Sequence, residues 1–326
     1  MPGPFPSSAL VTTRSDLQSY YENTYQELQS MMVASQVFPV LNVAQQAGVF
    51  GRIPLSQMAR HTQGGERASG AAYQRDTIQF ESDSWATQEF GFEEKVDDRL
   101  ARVYRTFLEA EQFATSRALN KILTRNEMRV AAMFNSSDYT SASMVVTKGN
   151  GKWDTAGGTM LEDINSGCEL VYFATGLKPN VLIISEIAVN RIRIKNSQLL
   201  DAIKSAGAGQ AAKPSDITAA LLAQATGMDR VIIAGASKNT AGPAAAASIA
   251  QIWGNHAIVA RVATTNDIQE PCVGRTFHWS DDDSRPLGVV ESYEEPQTRS
   301  TIIRARHETQ EKQLQLKCAA MILDVI

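Results

Sequence analysis

The side chains best suited to metal ligation or proton transfer are His61, His256, His278 and His307, and no two of them stand at ligand spacing. Structural roles are the expectation for all four. Asp281-Asp282-Asp283 could meet a cation, but a calcium loop needs alternating ligands and a turn glycine, so a solvated turn is expected there. The chain has no Gly-x-Ser-x-Gly nucleophile elbow. Gly207-Ala208-Gly209 follows a predicted helix and not a strand, which is the wrong context for a dinucleotide. The nearest approach to a phosphate loop runs from Val231 to Gly235, with a helix predicted over Ala244–Ile249. Gly235-Ala236-Ser237-Lys238-Asn239-Thr240-Ala241-Gly242 lacks the Gly-Lys-Ser/Thr ending that places a lysine on phosphate, so it reads as a plain turn. No catalytic, cofactor-binding or metal-ligating residue is assigned, and no enzyme is expected.

Composition narrows the function classes. At 43% hydrophobic and 20% charged, 326 residues can bury a core, and the length suits about two domains. The net charge of −4 and the lack of a basic run argue against bulk neutralisation of nucleic-acid phosphates. No apolar run approaches the ~18 residues of a membrane helix. The start, Met1-Pro2-Gly3-Pro4-Phe5-Pro6, lacks the basic and apolar regions of a secretory signal. Cys168, Cys272 and Cys318 are distant and odd in number, which fits reduced thiols.

The elements that would position functional groups are unusual for a monomer. Residues 1–14 are Pro-rich and have no apolar face, so they predict an arm held by packing within the subunit or by neighbouring subunits. Ser15-Asp16 reads as an N-cap for an amphipathic helix over 15–35 that carries Leu17, Tyr20, Tyr21, Tyr25, Leu28, Met31 and Met32. Its tyrosines could face a core or a partner. Extended pieces are predicted at Val37–Val43 and Thr77–Glu81. Between them the polar, Gly-rich stretch Arg60–Gly70 predicts a long hairpin with a mobile tip.

Val96, Leu100, Val103, Phe107, Ala110 and Ala114 step by four and three, and the stripe extends to Phe134. One helix over 97–134 would be roughly 57 Å long at ~1.5 Å per residue, which suggests a structural strut; the alternative is a break near Thr124–Asn126. Beyond 153 the pattern is mixed. Helices are predicted over Gly158–Thr175, Glu186–Ile194, Ser197–Ser205 and Ser215–Thr226, with buried strands at Val181–Ile184, Val231–Ile233 and His256–Val262. After 275 strands are predicted at Arg275–Trp279, Leu287–Tyr293, Thr301–Arg306 and Leu314–Ile322.

Three stretches in order resemble one known family. Phe90-Gly91-Phe92-Glu93-Glu94-Lys95-Val96-Asp97-Asp98 resembles the end of the extended loop and the start of the spine helix in major capsid proteins of tailed bacteriophages. Asn180–Ser185, followed by a helix ending in Leu199-Leu200-Asp201-Ala202-Ile203-Lys204, resembles a second region. Asn239-Thr240-Ala241 followed by Ile252–Val259 resembles a third. The resemblance spans about 15–326. It implies an α+β, HK97-like capsid fold with an N-terminal arm (1–50), an extended β-hairpin loop (51–96), a peripheral domain with the spine helix (97–152), a mainly axial domain (153–274) and return strands of the peripheral domain (275–326).

The implied function is a self-assembling subunit, forming hexamers and pentamers of an icosahedral phage head around double-stranded DNA without sequence-specific binding. The implied location is the virion capsid, assembled in the host cytoplasm. Implied partners are other copies of the chain, a portal, a separate scaffold protein and a decoration protein, with no membrane and no cofactor. The spine helix is expected to begin near 97, which leaves room only for arm and loop, so a separate scaffold protein or none is expected. Candidate inter-subunit contacts are Tyr20, Tyr21, Tyr25, Arg60, Arg67, Arg75, Glu93, Glu94, Asp97 and Asp98, the arginines meeting acids of a neighbour. Competing readings are an encapsulin-like compartment and a soluble α/β enzyme with a small-molecule site near Gly235.

Overall fold

The computed structural model describes residues 11–52, 54–55, 65–73, 75, 80–104, 109–146, 151–205, 217–242, 245–280, 285–286 and 288–326. The chain opens on a short strand β1 (Thr12–Thr13), then α1 (Ser15–Thr24), α2 (Gln26–Met31) and α3 (Ala34–Val37), where one helix was expected. The last break has a clear cause: the N–H groups of Val33 and Ala34 donate to the Glu127 carboxylate, outside any helical ladder. Ser15 is the first helical residue and not a cap; Arg14 precedes it and pairs with Asp16 at 2.8 Å and with Glu111 at 3.1 Å.

Next come β2 (Val40–Val43), β3 (Ala47–Arg52), β4 (Glu81–Ala86) and β5 (Gln88–Asp97). The hairpin is therefore closed by β3 and β4, paired antiparallel from Ala47↔Ala86 to Arg52↔Glu81. The expected first strand, Val37–Val43, instead pairs through β2 with a distant partner. Helix α4 (Asp98–Tyr104) follows, then α5 (Ala110–Met133), α6 (Ser136–Ser141) and β6 (Val145–Val146). A single helix over 97–134 is thus not formed. Glu109 is extended, with φ −76° and ψ 96°, while Thr124–Asn126 runs through α5 unbroken. Val96 lies in β5 and is buried, whereas Val103 is exposed, so the stripe before residue 110 is not one helix face. The turn at Glu109 lets α5 lie across β5 and its neighbour while α4 follows the end of β5. At ~1.5 Å per residue α5 is about 36 Å long, still the longest described helix.

The remaining elements are α7 (Met160–Thr175), β7 (Val181–Ser185), α8 (Glu186–Lys195), α9 (Ser197–Ser205), α10 (Ala219–Thr226), β8 (Arg230–Ala234), β9 (Ser237–Asn239), β10 (Ile249–Gln251), β11 (Ala257–Ala260), β12 (Gly274–Trp279), β13 (Val289–Glu295), β14 (Ser300–Gln313) and β15 (Ala319–Ile322). The last strand is shorter than expected because Leu316–Cys318 forms a 3₁₀ turn. The helix predicted near Ala244–Ile249 is replaced by β10, which pairs with β9. Gly235 is therefore followed by a small hairpin, not by a helix N-terminus. A Cβ there would lie 2.7 Å from a Glu186 carboxylate oxygen, so an acid crowds the glycine where a phosphate would need a cation.

Two sheets organise these elements. The first runs β1-β13-β14-β12-β2, and β5 also pairs with β14. β14 is 14 residues long and serves β13 and β12 with different stretches while β5 covers Ser300–Thr309. The second sheet runs β6-β15-β11-β7-β8. Its strands are buried on both faces: Val181 and Ile183 join one core, Leu182 and Ile184 the other, which is the period-two split of a covered strand. A third core holds Leu17 and Tyr21 of α1, Ala118, Leu119 and Ile122 of α5, and Val290, Ile303 and Ala305 of the first sheet. Packing is close at Gly274, where a Cβ would sit 2.4 Å from the Phe38 ring.

Candidate assembly surface

Among the described residues no cluster of three metal-ligating side chains exists, and no helix is long and apolar enough to cross a membrane. The most exposed large apolar side chains are the place to start, because water makes them costly unless something covers them.

The hairpin carries three of them. Val49, Tyr73 and Phe80 are each exposed by about 70%. Its base is rigid. Arg52 pairs with Glu81 at 2.7 Å, Asp83 takes Lys312, and Trp85 stacks on Phe277 at 5.6 Å with an 8° tilt. Beyond that base, Arg67 lies over the Tyr73 ring at 4.8 Å and Arg75 is exposed. Arg60 and Asp281–Asp283 lie outside the described residues. The base is thus anchored to the first sheet, while the described residues beyond it present aromatic and basic groups to solvent.

The N-terminal segment is bound more firmly than expected. Tyr21 is buried against α5 and stacks on Tyr25 at 5.4 Å, and burial pushes its phenol up to about 12. Tyr21 is therefore a core residue of its own subunit and is not available to a neighbour; Tyr20 and Tyr25 remain half-buried. β1 pairs with the edge of β13, Thr12 opposite Ser292. Glu127, fully buried on α5, accepts from Val33 N at 3.1 Å, Ala34 N at 2.8 Å and the Trp253 indole. Burial raises its pKa even against these donors. One carboxylate thus joins the N-terminal segment, α5 and the second sheet's side of the molecule. Composition hid this residue, but spacing could have shown it: Glu127 stands four after Leu123 and three before Val130, a charge within a buried stripe.

The acidic stretch divides by role. Glu93 is exposed and accepts from the Tyr293 hydroxyl at 3.1 Å. Glu94 is largely buried and holds Lys121 and, at 3.6 Å, Arg117 of α5. Asp97 accepts from Arg99 N at 2.7 Å, and Asp98 opens α4 with its side chain exposed. Glu94 is therefore committed to clamping α5, while Glu93 and Asp98 face outward. Arg129 performs a similar clamp, reaching Glu311 through two nitrogens at 2.6 and 2.9 Å and covering the Phe90 ring at 3.9 Å.

His307 lies beneath this clamp, fully buried, with Nδ1 3.2 Å from Pro286 O. Burial, with Arg129 adding to it, holds its pKa down to about 4 from 6.5. A depressed histidine stabilises the fold above pH 6.5, and that contribution is lost as pH falls toward about 4. The full loss corresponds to about 3 kcal/mol. Thermal unfolding of the wild type should therefore fall more steeply between pH 6.5 and 4 than that of His307→Gln, which has no imidazole to charge. Parallel curves for the two proteins would refute this.

No family model matches the chain, and no curated protein does. Solved structures do. A phage-related protein from Bordetella bronchiseptica RB50 aligns over 96% of this chain and 97% of its own, with a TM-score of 0.66 and 20% identity. The capsid structure of the cyanophage P-SCSP1u aligns over 99% and 91%, with a TM-score of 0.57 and 11% identity. The mature capsid of bacteriophage PhiM1 aligns over 87% and 84%, with a TM-score of 0.51 and 12% identity. These alignments run along most of the chain, which has the HK97-like capsid fold.

Proposed function

We propose that this chain is the major shell subunit of a tailed-phage head, assembling into hexamers and pentamers of an icosahedral container for double-stranded DNA. The observation that carries this reading is the hairpin: a base tied to β14 through Lys312 and to Phe277 carries Val49, Tyr73 and Phe80, whose large apolar exposure a neighbouring copy would cover. The shared fold supports it. In this reading the first sheet with α5 is the peripheral domain, the second sheet with α7 to α10 is the axial domain, and the subunit is structural, not catalytic. Arg67 and Arg75 meet acids of a neighbour, with the outward-facing Glu93 and Asp98 as their counterparts. Portal, scaffold and decoration proteins are its further partners, and the virion capsid, assembled in the host cytoplasm, is its location. The net charge of −4 suits a wall that does not hold its genome by bulk neutralisation.

Electron microscopy of the expressed protein tests the reading. Closed shells of uniform diameter are expected; a protein that stays monomeric under every assembly condition, yet keeps its native circular dichroism, would end it.

Mature shells of this chain should also lack isopeptide cross-links between subunits. That chemistry needs a neutral lysine amine near an Asn or Asp side chain of another subunit. Lys95 is the only lysine before residue 121. It lies in β5 opposite Ile302, exposed to solvent and on the sheet side of the hairpin's closing strands, not at its tip. Arginines cannot replace it, because they stay protonated. Boiling in detergent should release one band near 35.5 kDa, and a ladder that survives reductant would refute the expectation.

A further inference from the structure

Two helix faces outside the arm and hairpin also project apolar groups into solvent. On α7, Glu162, Asn165, Ser166, Glu169, Tyr172 and Phe173 are exposed. At about 100° per residue they fall within one third of the helix circumference. Tyr172 and Phe173 are 50% and 82% exposed, ring to ring at 5.8 Å. Among the described residues neither glutamate meets a cation; Glu169 only accepts from Asn165 Nδ2 at 2.9 Å. This face is acidic and aromatic.

On α8 the exposed residues are Ile187, Asn190, Arg191, Ile194 and Lys195, which again share one side of the helix. Ile187 and Ile194 are 45% and 70% exposed, with Arg191 between them. Arg191 makes no ion pair among the described residues, and Lys195 has only Asp154 at 3.4 Å. This face is basic and aliphatic. The two faces complement each other in charge, and each offers apolar surface of similar length.

Among the described residues no ion pair joins the two faces within one subunit. In the second sheet, ordered β6-β15-β11-β7-β8, α7 packs on β6, β15 and β11 while α8 packs on β7 and β8, so the two helices lie over different strands that meet at the β11–β7 pair. Complementary patches at different places on one body make a head-to-tail contact between copies, and such contacts close into rings when the rotation between copies allows.

We propose that the acidic-aromatic face of α7 in one copy docks on the basic-aliphatic face of α8 in the next, with Glu169 facing Arg191 and Phe173 covering Ile187 and Ile194. The proposal rests on the shell-subunit reading and names the surface through which copies of the second sheet meet around a ring. An aromatic face beside a guanidinium adds cation–π attraction to the ion pair. The occupant is a second copy of this chain, since each face finds its complement on the other.

The test is a charge exchange in the full chain. Glu169→Arg and Arg191→Glu should each lower the yield of rings and shells about tenfold or more, because like charges then oppose across the contact. Both residues are exposed, so subunit circular dichroism and Tm should not move. The double variant E169R/R191E should recover yield to within about twofold of wild type if the pair acts alone. Phe173→Ser should lower yield without any change in charge, and it serves as the readout if an exchanged variant fails to fold. Wild-type protein that never forms rings or shells would overturn the shell reading itself. Wild-type shells unaffected by the single exchanges or by F173S, or losses that the double exchange does not reverse, would overturn this contact and leave the shell reading standing.

Discussion

Replacing residues 53–80 by a two-residue Asn-Gly turn is expected to leave a folded subunit that builds no shell. Arg52 and Glu81 are already paired partners at the end of the β3–β4 ladder, so a two-residue loop closes the hairpin at its base in a favoured turn. The residues that stabilise that base, Arg52, Trp85, Phe277 and Lys312, all stay. Circular dichroism should therefore match the wild type, with a small fall in Tm because Leu55, which packs on the core around Val181 and Ile183, is removed. What is lost is the surface that another subunit would cover. Burial of a side chain such as Phe80 contributes about 1.5–3 kcal/mol. Each 1.4 kcal/mol lost lowers an association constant about tenfold, and the loss repeats at every subunit of a shell. Sedimentation and negative-stain microscopy read the result. Shells of normal yield from the shortened chain would remove the hairpin from the assembly mechanism.

Glu127→Gln is expected to destabilise the subunit by about 2–4 kcal/mol, although it keeps the side chain's size. Both carboxylate oxygens are used: one accepts from Val33 N and the Trp253 indole, the other from Ala34 N. An amide offers one acceptor and turns an NH₂ group toward a donor, leaving at least one buried N–H without a partner. Denaturant unfolding of the variant, with an unchanged slope and a lowered midpoint, checks it. A midpoint within error of wild type would mean that water serves these donors. The same geometry makes residues 15–35 part of the subunit's own core and not a detachable arm. Leu17, Tyr21, Val33 and Ala34 are all buried core residues, and their removal strands the Glu127 carboxylate. A truncation through residue 10 should fold; one through residue 35 should not.

Much of the architecture was legible where the pattern is local. The runs around Val181–Ile184 and Val231–Ile233 are buried on both faces, and α9 begins and ends where its periodicity does, because neighbours in sequence decide these elements. Elements set by distant partners were misread. β2 pairs parallel with β12, more than two hundred positions away, and nothing near Val40 signals that. The true hairpin strands, Ala47–Arg52 and Glu81–Ala86, carry glycine, serine and charge instead of alternating apolar residues, since one face meets water. The helix stripe from Val96 to Ala114 was periodic by composition, yet β14 claims Val96 for a strand. Of the candidate contacts, Glu94 and Tyr21 turned out to hold the subunit together. Sequence shows that a residue could meet a partner, but only the fold shows that its partner lies within the same chain.

The position of β14 has a consequence for the order of events during synthesis. β5, β12 and β13 all pair with Ser300–Gln313, and β5 has no other sheet partner among the described residues, so it waits until the ribosome has passed residue 313. At ~5–20 residues per second, β5 waits on the order of ten to forty seconds for β14. During that wait the hairpin base has no platform, since Phe277 and Lys312, which steady it, are held in the same sheet. Pairings this remote in sequence are also intrinsically slow to form. Nascent chains on one polysome thus cannot present the finished hairpin to each other. Association is deferred to released, fully paired subunits, and the three glutamates and Asp97 along β5 keep its waiting edge from joining a stranger.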